Sequence, residues 1–346
     1  LEEGDTETAM KLAEKAFALK PRHVETQDTL LRLQARDENW DGARRVLSAK
    51  LKSGSLPKDV YKRREAVLSL ADARDQLRRG NVDKARAEML EANRLSPELV
   101  PAAVLAARAH IEAGEKRRAA KVLKIARAKT AHPDLAAAFA EIEPDETPEA
   151  RIKRFQPFLK VAPEAPETKM LEAELYLAAE DFPGARRVLG KLYETHPTSQ
   201  SLSLMAAIER GEGGSEAVVR GWLAKALSAP RGAQWVCDTC GTIHADWLPV
   251  CTNCEAFDSL SWKEPPTGGT PAAVSSDMLP LLMGPAVPDA GSSDPVPSVP
   301  DDEDVPEAEE VPPSSSEVEP TPPHVVNPAV VGTTRDQDET VSPPRI

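Results

Sequence analysis

Gly42-Ala43-Arg44-Arg45-Val46-Leu47 recurs letter for letter as Gly184-Ala185-Arg186-Arg187-Val188-Leu189. An identity of this length inside one chain points to an internal repeat, and a repeat decides the architecture before any single element does. Working outward, Ala43 lies 34 residues after Ala9 in Gly4-Asp5-Thr6-Glu7-Thr8-Ala9. Gly80-Asn81-Val82-Asp83-Lys84-Ala85 and Gly114-Glu115-Lys116-Arg117-Arg118-Ala119 keep the same 34-residue spacing between Ala85 and Ala119. Thr147–Ala150 followed by Pro163, and Asp181–Ala185 followed by Pro197, continue the series.

Each unit has a physical reading. A glycine ends one helix, and a residue such as Asp5, Asn81 or Asp181 caps the next. The small alanine that follows lets the two helices approach closely. Apolar residues then recur at helical spacing, as in Ala9, Leu12, Ala13, Ala16 and Leu19. A proline about a dozen residues later closes the second helix. The pattern resembles the tetratricopeptide repeat and predicts an all-α solenoid over residues 1–230, an irregular alanine-rich bundle being the alternative. The second unit carries an insertion around Ser53–Lys58 and the fifth is compressed. Gly4 falls where an inter-helix turn belongs, so this reading expects one more helix, and a natural chain, upstream of Leu1.

Beyond the repeats the composition changes. Residues 265–346 hold 18 of the 32 prolines and 15 of the 56 acidic residues, against two basic ones, Arg335 and Arg345. The net charge of −13 therefore belongs to this stretch, and residues 1–264 are formally neutral. Low hydrophobicity and one charge sign predict a disordered acidic, proline-rich tail. Its one apolar island, Met278-Leu279-Pro280-Leu281-Leu282-Met283 within Ser275–Val287, reads either as a tolerated run or as a short docking motif. The neutral body gives no support for nucleic-acid binding. No run of about 18 apolar residues is present to span a membrane.

All four cysteines fall in residues 231–264, as Cys237-x2-Cys240, ten residues, then Cys251-x2-Cys254. Two residues between thiols let one tight turn aim both at a single ion, and two such turns complete a tetrahedral sulfur shell. Gly241 suits the left-handed position after the first turn, whereas Glu255 occupies it after the second. Cys237, Cys240, Cys251 and Cys254 are thus expected to bind one structural metal ion, zinc in first place and iron as the alternative. Two disulfides are the competing reading. Four thiolates leave no open position for catalysis. His244 is expected to have a surface role in preference to replacing a ligand. Trp235, Trp247, Phe257 and Trp262 are expected to form the mini-core and to contact the last repeat helix around Trp222–Leu227.

Nothing else carries chemistry. His23, His110, His132, His196 and His324 are scattered, and there is no phosphate loop, nucleophile elbow or Cys–His arrangement. The chain is therefore read as no enzyme. The basic run Lys116, Arg117, Arg118, Lys121, Lys124, Arg127 and Lys129 reads as a solvated helix face, or as a surface for anionic lipid or partner carboxylates.

Degenerate repeats, a Trp235-x-Cys237-x2-Cys240-Gly241 ribbon ending in Trp262, and an acidic tail together resemble the HemY-like proteins of alphaproteobacteria, above all across Trp222–Pro265. That resemblance implies a link to haem biosynthesis and an N-terminal membrane hairpin ahead of the repeats. It places this chain on the cytoplasmic face of the inner membrane, with proteins or peptides, including haem-synthesis enzymes, as partners on the concave face. The architecture also resembles lipopolysaccharide assembly protein B, in which repeats and a rubredoxin-type tab regulate an envelope enzyme's turnover. Three functions follow: a scaffold for tetrapyrrole synthesis, an adaptor for envelope-lipid regulation or proteolysis, and a haem- or iron-sensing protein.

Overall fold

The computed structural model describes residues 3–266. The acidic tail from 267 onward, with its apolar island and His324, lies outside them. Among the described residues are fourteen helices: α1 (Glu3–Leu19), α2 (Val24–Arg36), α3 (Trp40–Lys52), α4 (Lys58–Arg78), α5 (Val82–Leu95), α6 (Val100–Glu112), α7 (Lys116–Arg127), α8 (Pro133–Ala140), α9 (Pro148–Leu159), α10 (Pro166–Ala178), α11 (Phe182–Leu189), α12 (Leu192–Thr195), α13 (Ser199–Gly211) and α14 (Glu216–Ser228). A three-stranded antiparallel sheet follows, in the order β2 (Ile243–His244), β1 (Gln234–Cys237), β3 (Leu260–Lys263).

The repeat is realised as helix pairs. Helices α2, α4, α6, α10 and α13 come first in their pairs, each packing on the helix that follows, whereas α8 packs on α6 and α7 and meets α9 through Phe139 against Phe155 and Phe158. The first helices also touch one another along the series α6, α8, α10 and α13. The repeat alanines sit where the pairs are tightest: Ala43, Ala85, Ala119 and Ala185 are all fully buried. Any larger side chain there would separate the helices, and overpacking of a filled core costs about 1–3 kcal/mol.

The turns between paired helices need a left-handed residue. Gly80 and Gly114 supply it at φ of 78° and 73°. The equivalent positions in the units of the repeated hexapeptide are Glu38 and Glu180, at 54° and 57°. Asn39 and Asp181 then cap the second helices, accepting from the backbone N–H of Gly42 and Gly184 at 3.0 and 2.9 Å. Asn81 is an N-cap by position only, since its side-chain amide donates to Gln76 instead. Gly4 and Asp5, expected as turn and cap, lie inside the first turns of α1, where glycine's helix penalty of about 1 kcal/mol is tolerated.

The hexapeptide's first arginine joins successive units. Arg44 reaches Glu65 and Asp72 of α4 and Glu88 of α5, and Arg186 reaches Glu209 of α13 and Glu212 just beyond it. The stretch Ser53–Lys58, expected as an insertion, forms the connection between α3 and α4, with only Lys58 inside α4; the extra length lies in α4 itself, 21 residues against the 13 of α2 and α6. The compressed unit begins with the eight-residue α8.

The basic run occupies α7 and is not uniformly solvated. Arg127 is fully buried; its Nε donates to the Phe158 carbonyl at 3.1 Å and an Nη to Thr168 Oγ1 at 2.6 Å. Lys116 and Arg118 pair with Glu143 and Glu115. No helix among the described residues is long and apolar enough to cross a membrane.

Candidate metal centre

The ribbon's two cysteine turns repeat one hydrogen-bond pattern. In the first, Gly241 N–H donates to the Cys237 carbonyl and Cys237 N–H to the Thr242 carbonyl, both at 2.9 Å. In the second, Glu255 N–H donates to the Cys251 carbonyl and Cys251 N–H to the Ala256 carbonyl, both at 3.0 Å. Gly241 and Glu255 close these turns at φ of 74° and 56°. The glutamate therefore takes the conformation the sequence made doubtful, although a left-handed non-glycine residue costs about 1 kcal/mol.

The four sulfur atoms lie within 4.8 Å of one another, and no other such group of candidate ligands occurs among the described residues. Cys237 and Cys254 sulfurs stand 3.6 Å apart, Cys240 and Cys251 sulfurs 3.7 Å. A tetrahedral ion with metal–sulfur bonds of about 2.3 Å sets its ligands roughly 3.8 Å apart. A disulfide needs about 2.05 Å, and all four cysteines are free. The donor set and its spacing therefore fit one metal ion.

The crowding of the sulfurs sets their acidities against one another. The hydroxyl and backbone N–H of Thr242 pull Cys240 down to about 5. Cys254 accepts from the Ala256 N–H, yet burial and the three neighbouring thiols push it up to about 12. Four such groups ionise together only around a cation.

His244 is partly exposed and stands outside the group of four sulfurs, yet it touches one of them. Its Nε2 lies 3.4 Å from Cys251 Sγ, because β2 pairs with β1 in a register that sets His244 opposite Trp235. Ser259 Oγ lies 3.3 Å from Cys237 Sγ. Neither contact was legible in the spacing of the cysteines.

The ribbon's position overturns one expectation. Its aromatic residues do not pack on the last repeat helix: Trp222 of α14 packs edge-on against Tyr193 at 5.2 Å, in a separate cluster with α10, α11 and α13. Trp235, Cys237, Trp247, Cys251 and Leu260 instead share one apolar cluster with α4 to α10, while Val250 and Phe257 join the cluster of α1 to α4. Burial of Trp235 and Trp247 there is worth on the order of 4–5 kcal/mol each before ordering costs.

Polar contacts fix the orientation. Arg36 at the end of α2 meets Glu255 at 3.3 Å, and Arg63 of α4 meets Asp258 at 3.1 Å. Burial raises the Asp258 carboxyl above its ordinary range, and Arg63 works against that. Arg74 of α4 lies over the Trp247 ring at 5.3 Å and donates to the Trp247 carbonyl. His132, the N-cap of α8, is buried against Trp262 and Trp235, with ring centroids 4.0 and 5.1 Å away. Arg63 lies in the early turns of the long α4, and together with Arg36 it holds the second half of the ribbon.

No family profile matches the chain. A relative from Magnetospirillum gryphiswaldense, described as a probable magnetosome protein, Mms48, is 27% identical over 173 residues. Those residues are 50% of this chain and 38% of the relative, so the match spans well under half of that protein. Among solved structures, a tetratricopeptide repeat protein from Parabacteroides merdae is 15% identical with a TM-score of 0.31, covering 65% of this chain and 94% of its own. The tetratricopeptide domain of P58(IPK) is 13% identical with a TM-score of 0.21, covering 65% and 78%. Likeness at that level carries no argument; the repeat fold rests on the helix pairing described above.

Proposed function

We propose that this chain is a non-enzymatic scaffold that holds protein partners along its row of first helices, with a metal-bound ribbon bracing that row. One observation carries the reading. Arg36, Arg63, Arg74 and His132, the solenoid residues that anchor the ribbon, all belong to first helices or their caps. In helical-repeat arrays that row is the surface which receives peptides and partner helices. The ribbon thus stiffens the partner-binding side along α4 and α8 while leaving α10 and α13 for partners.

In this reading Cys237, Cys240, Cys251 and Cys254 hold one zinc ion, whose role is to fold the ribbon. The division into solenoid (1–230), ribbon (231–264) and tail (265–346) is retained as a working scheme. The resemblance to HemY-like proteins adds the finer proposal. The scaffold is held at the cytoplasmic face of the inner membrane and its partners are enzymes of tetrapyrrole synthesis.

Affinity capture from native membranes tests this, using the full chain and a Glu174→Lys variant on the open face of α10. Recovery of tetrapyrrole enzymes by the native chain, and their loss with the variant, is the expected result. Capture of an envelope-lipid enzyme would replace the finer proposal with the adaptor reading. Partners retained equally by both chains would remove the binding row from the argument. Metal analysis should find one zinc per chain; a red protein absorbing in the visible would assign iron.

A further inference from the structure

A cavity of about 440 Å³ opens between α8, α10, the start of α13 and the ribbon. Its walls are largely apolar, with Ala136 and Ala140 from α8, Phe155 from α9 and Leu171 from α10. Trp262 of β3 closes one side. Most of its charged lining is already engaged. Arg151 pairs with Glu146, Glu174 accepts from Gln200, and His196 meets Glu264 at 3.2 Å. Glu167 faces the buried Arg127. Arg231 at the rim is exposed, and no carboxylate among the described residues pairs with it.

The course of the chain bears on what fills this space. Trp262 lines the cavity, and two residues later Glu264 is tied to His196, which lines it too. The polypeptide therefore leaves the ribbon at the cavity's edge. Twelve residues beyond Pro266 begins Met278-Leu279-Pro280-Leu281-Leu282-Met283, the apolar island of an otherwise polar tail, preceded by Asp277. A dozen extended residues span up to about 40 Å, ample for a return to the cavity. Pro280 disfavours helix in its neighbourhood, so the island suits an extended fit.

We propose that Asp277–Met283 binds this cavity in cis, its leucines against the apolar walls and the Asp277 carboxylate on Arg231. A tethered segment of this length acts at an effective concentration of about millimolar, so a weak intrinsic affinity suffices to fill the site. Apolar side chains match apolar walls, and the acidic tail matches the Arg231 guanidinium at the rim. The proposal concerns the isolated chain and stands or falls independently of which partner the scaffold holds.

Hydrogen exchange on the full chain tests it, comparing native protein with Leu279→Asp/Leu281→Asp and, separately, with Arg231→Glu. Neither change touches the described core. Amides of α8 and α10 are expected to exchange severalfold faster in both variants, with α2 to α5 unchanged. A photocrosslinking phenylalanine analogue at position 281 should form an intramolecular link to residues 131–178. Identical exchange in all three proteins would overturn the proposal. So would crosslinks confined to other helices, or links only between chains, which would assign the island to a partner copy.

Discussion

Glu255 and Arg36 meet across the seam between the second cysteine turn and the end of α2, with both carboxylate oxygens within 3.4 Å of one guanidinium nitrogen. Their separation in sequence is 219 residues, so the contact exists only because the ribbon folds back over the first helices. It also accounts for a glutamate in a left-handed position that glycine would fill at lower cost.

This sets two opposing terms at one residue. Glu255→Gly relieves about 1 kcal/mol of backbone strain and forfeits a half-exposed ion pair worth about 0–1 kcal/mol. Its net effect on urea-induced unfolding is expected to lie within about 1 kcal/mol of zero. Glu255→Val keeps the strain, adds a branched Cβ and loses the pair, and should destabilise by roughly 2 kcal/mol. Equal costs for the two variants would show that the backbone is not what the position demands.

The four-cysteine site should couple to the solenoid. Cys251→Ser/Cys254→Ser is expected to release the metal and leave the helical circular dichroism largely intact at room temperature. The melting temperature should nevertheless fall by roughly 5–10 °C, because Trp235 and Trp247 leave a core shared with the helices. An unchanged melting temperature would mean that the ribbon sits on the solenoid without supporting it.

Arg127 offers a test of buried charge. Burial lowers its guanidinium to about 10, with Glu167 opposing, and its hydrogen bonds go to neutral oxygens of Phe158 and Thr168. Arg127→Ala should cost about 3 kcal/mol through a cavity and an orphaned carbonyl. Arg127→Met fills much of the space without a charge to desolvate and should cost less. The ordering by chemical denaturation decides; methionine worse than alanine would point to an essential charge.

His132 makes stability depend on pH. Burial pushes its imidazole down to about 4, with Asp134 opposing, and its Nδ1 accepts from the Asp134 N–H as the cap of α8. The unfolded ring titrates near 6.5, so the neutral folded form contributes fully above that value. The contribution is lost as pH falls from about 6.5 towards 4, by on the order of 2–3 kcal/mol. His132→Asn keeps a capping acceptor and should flatten that part of the profile. An unaltered profile would locate the acid sensitivity elsewhere.

The repeat was legible because its rules are local. Ala43, Ala85, Ala119 and Ala185 announce the close helix contacts, and Pro21 and Pro97 follow directly on the ends of α1 and α5. The turns at Glu38 and Glu180 were harder to read, since glutamate gives no sign of a positive φ when context imposes it. Gly4 and Asp5 misled for the converse reason: a turn-like pair is compatible with the first turn of a helix. In the ribbon the cysteine spacing predicted a cluster of four sulfurs, and the sulfurs do converge.

What the sequence by itself determined is therefore whatever depends on neighbours along the chain: helix pairs, their tight contacts, and two metal-binding turns. Only the tertiary structure decided where the ribbon lies. Arg36, Arg63, Arg74 and His132 look like ordinary solenoid residues in the sequence, and each acquires its ribbon partner through a separation of more than a hundred residues. Apolar burial favours the roomiest matching surface and has no direction of its own. The packing of the assembled helices, set by contacts between distant residues, put that surface along α4 and α8 instead of beside Trp222.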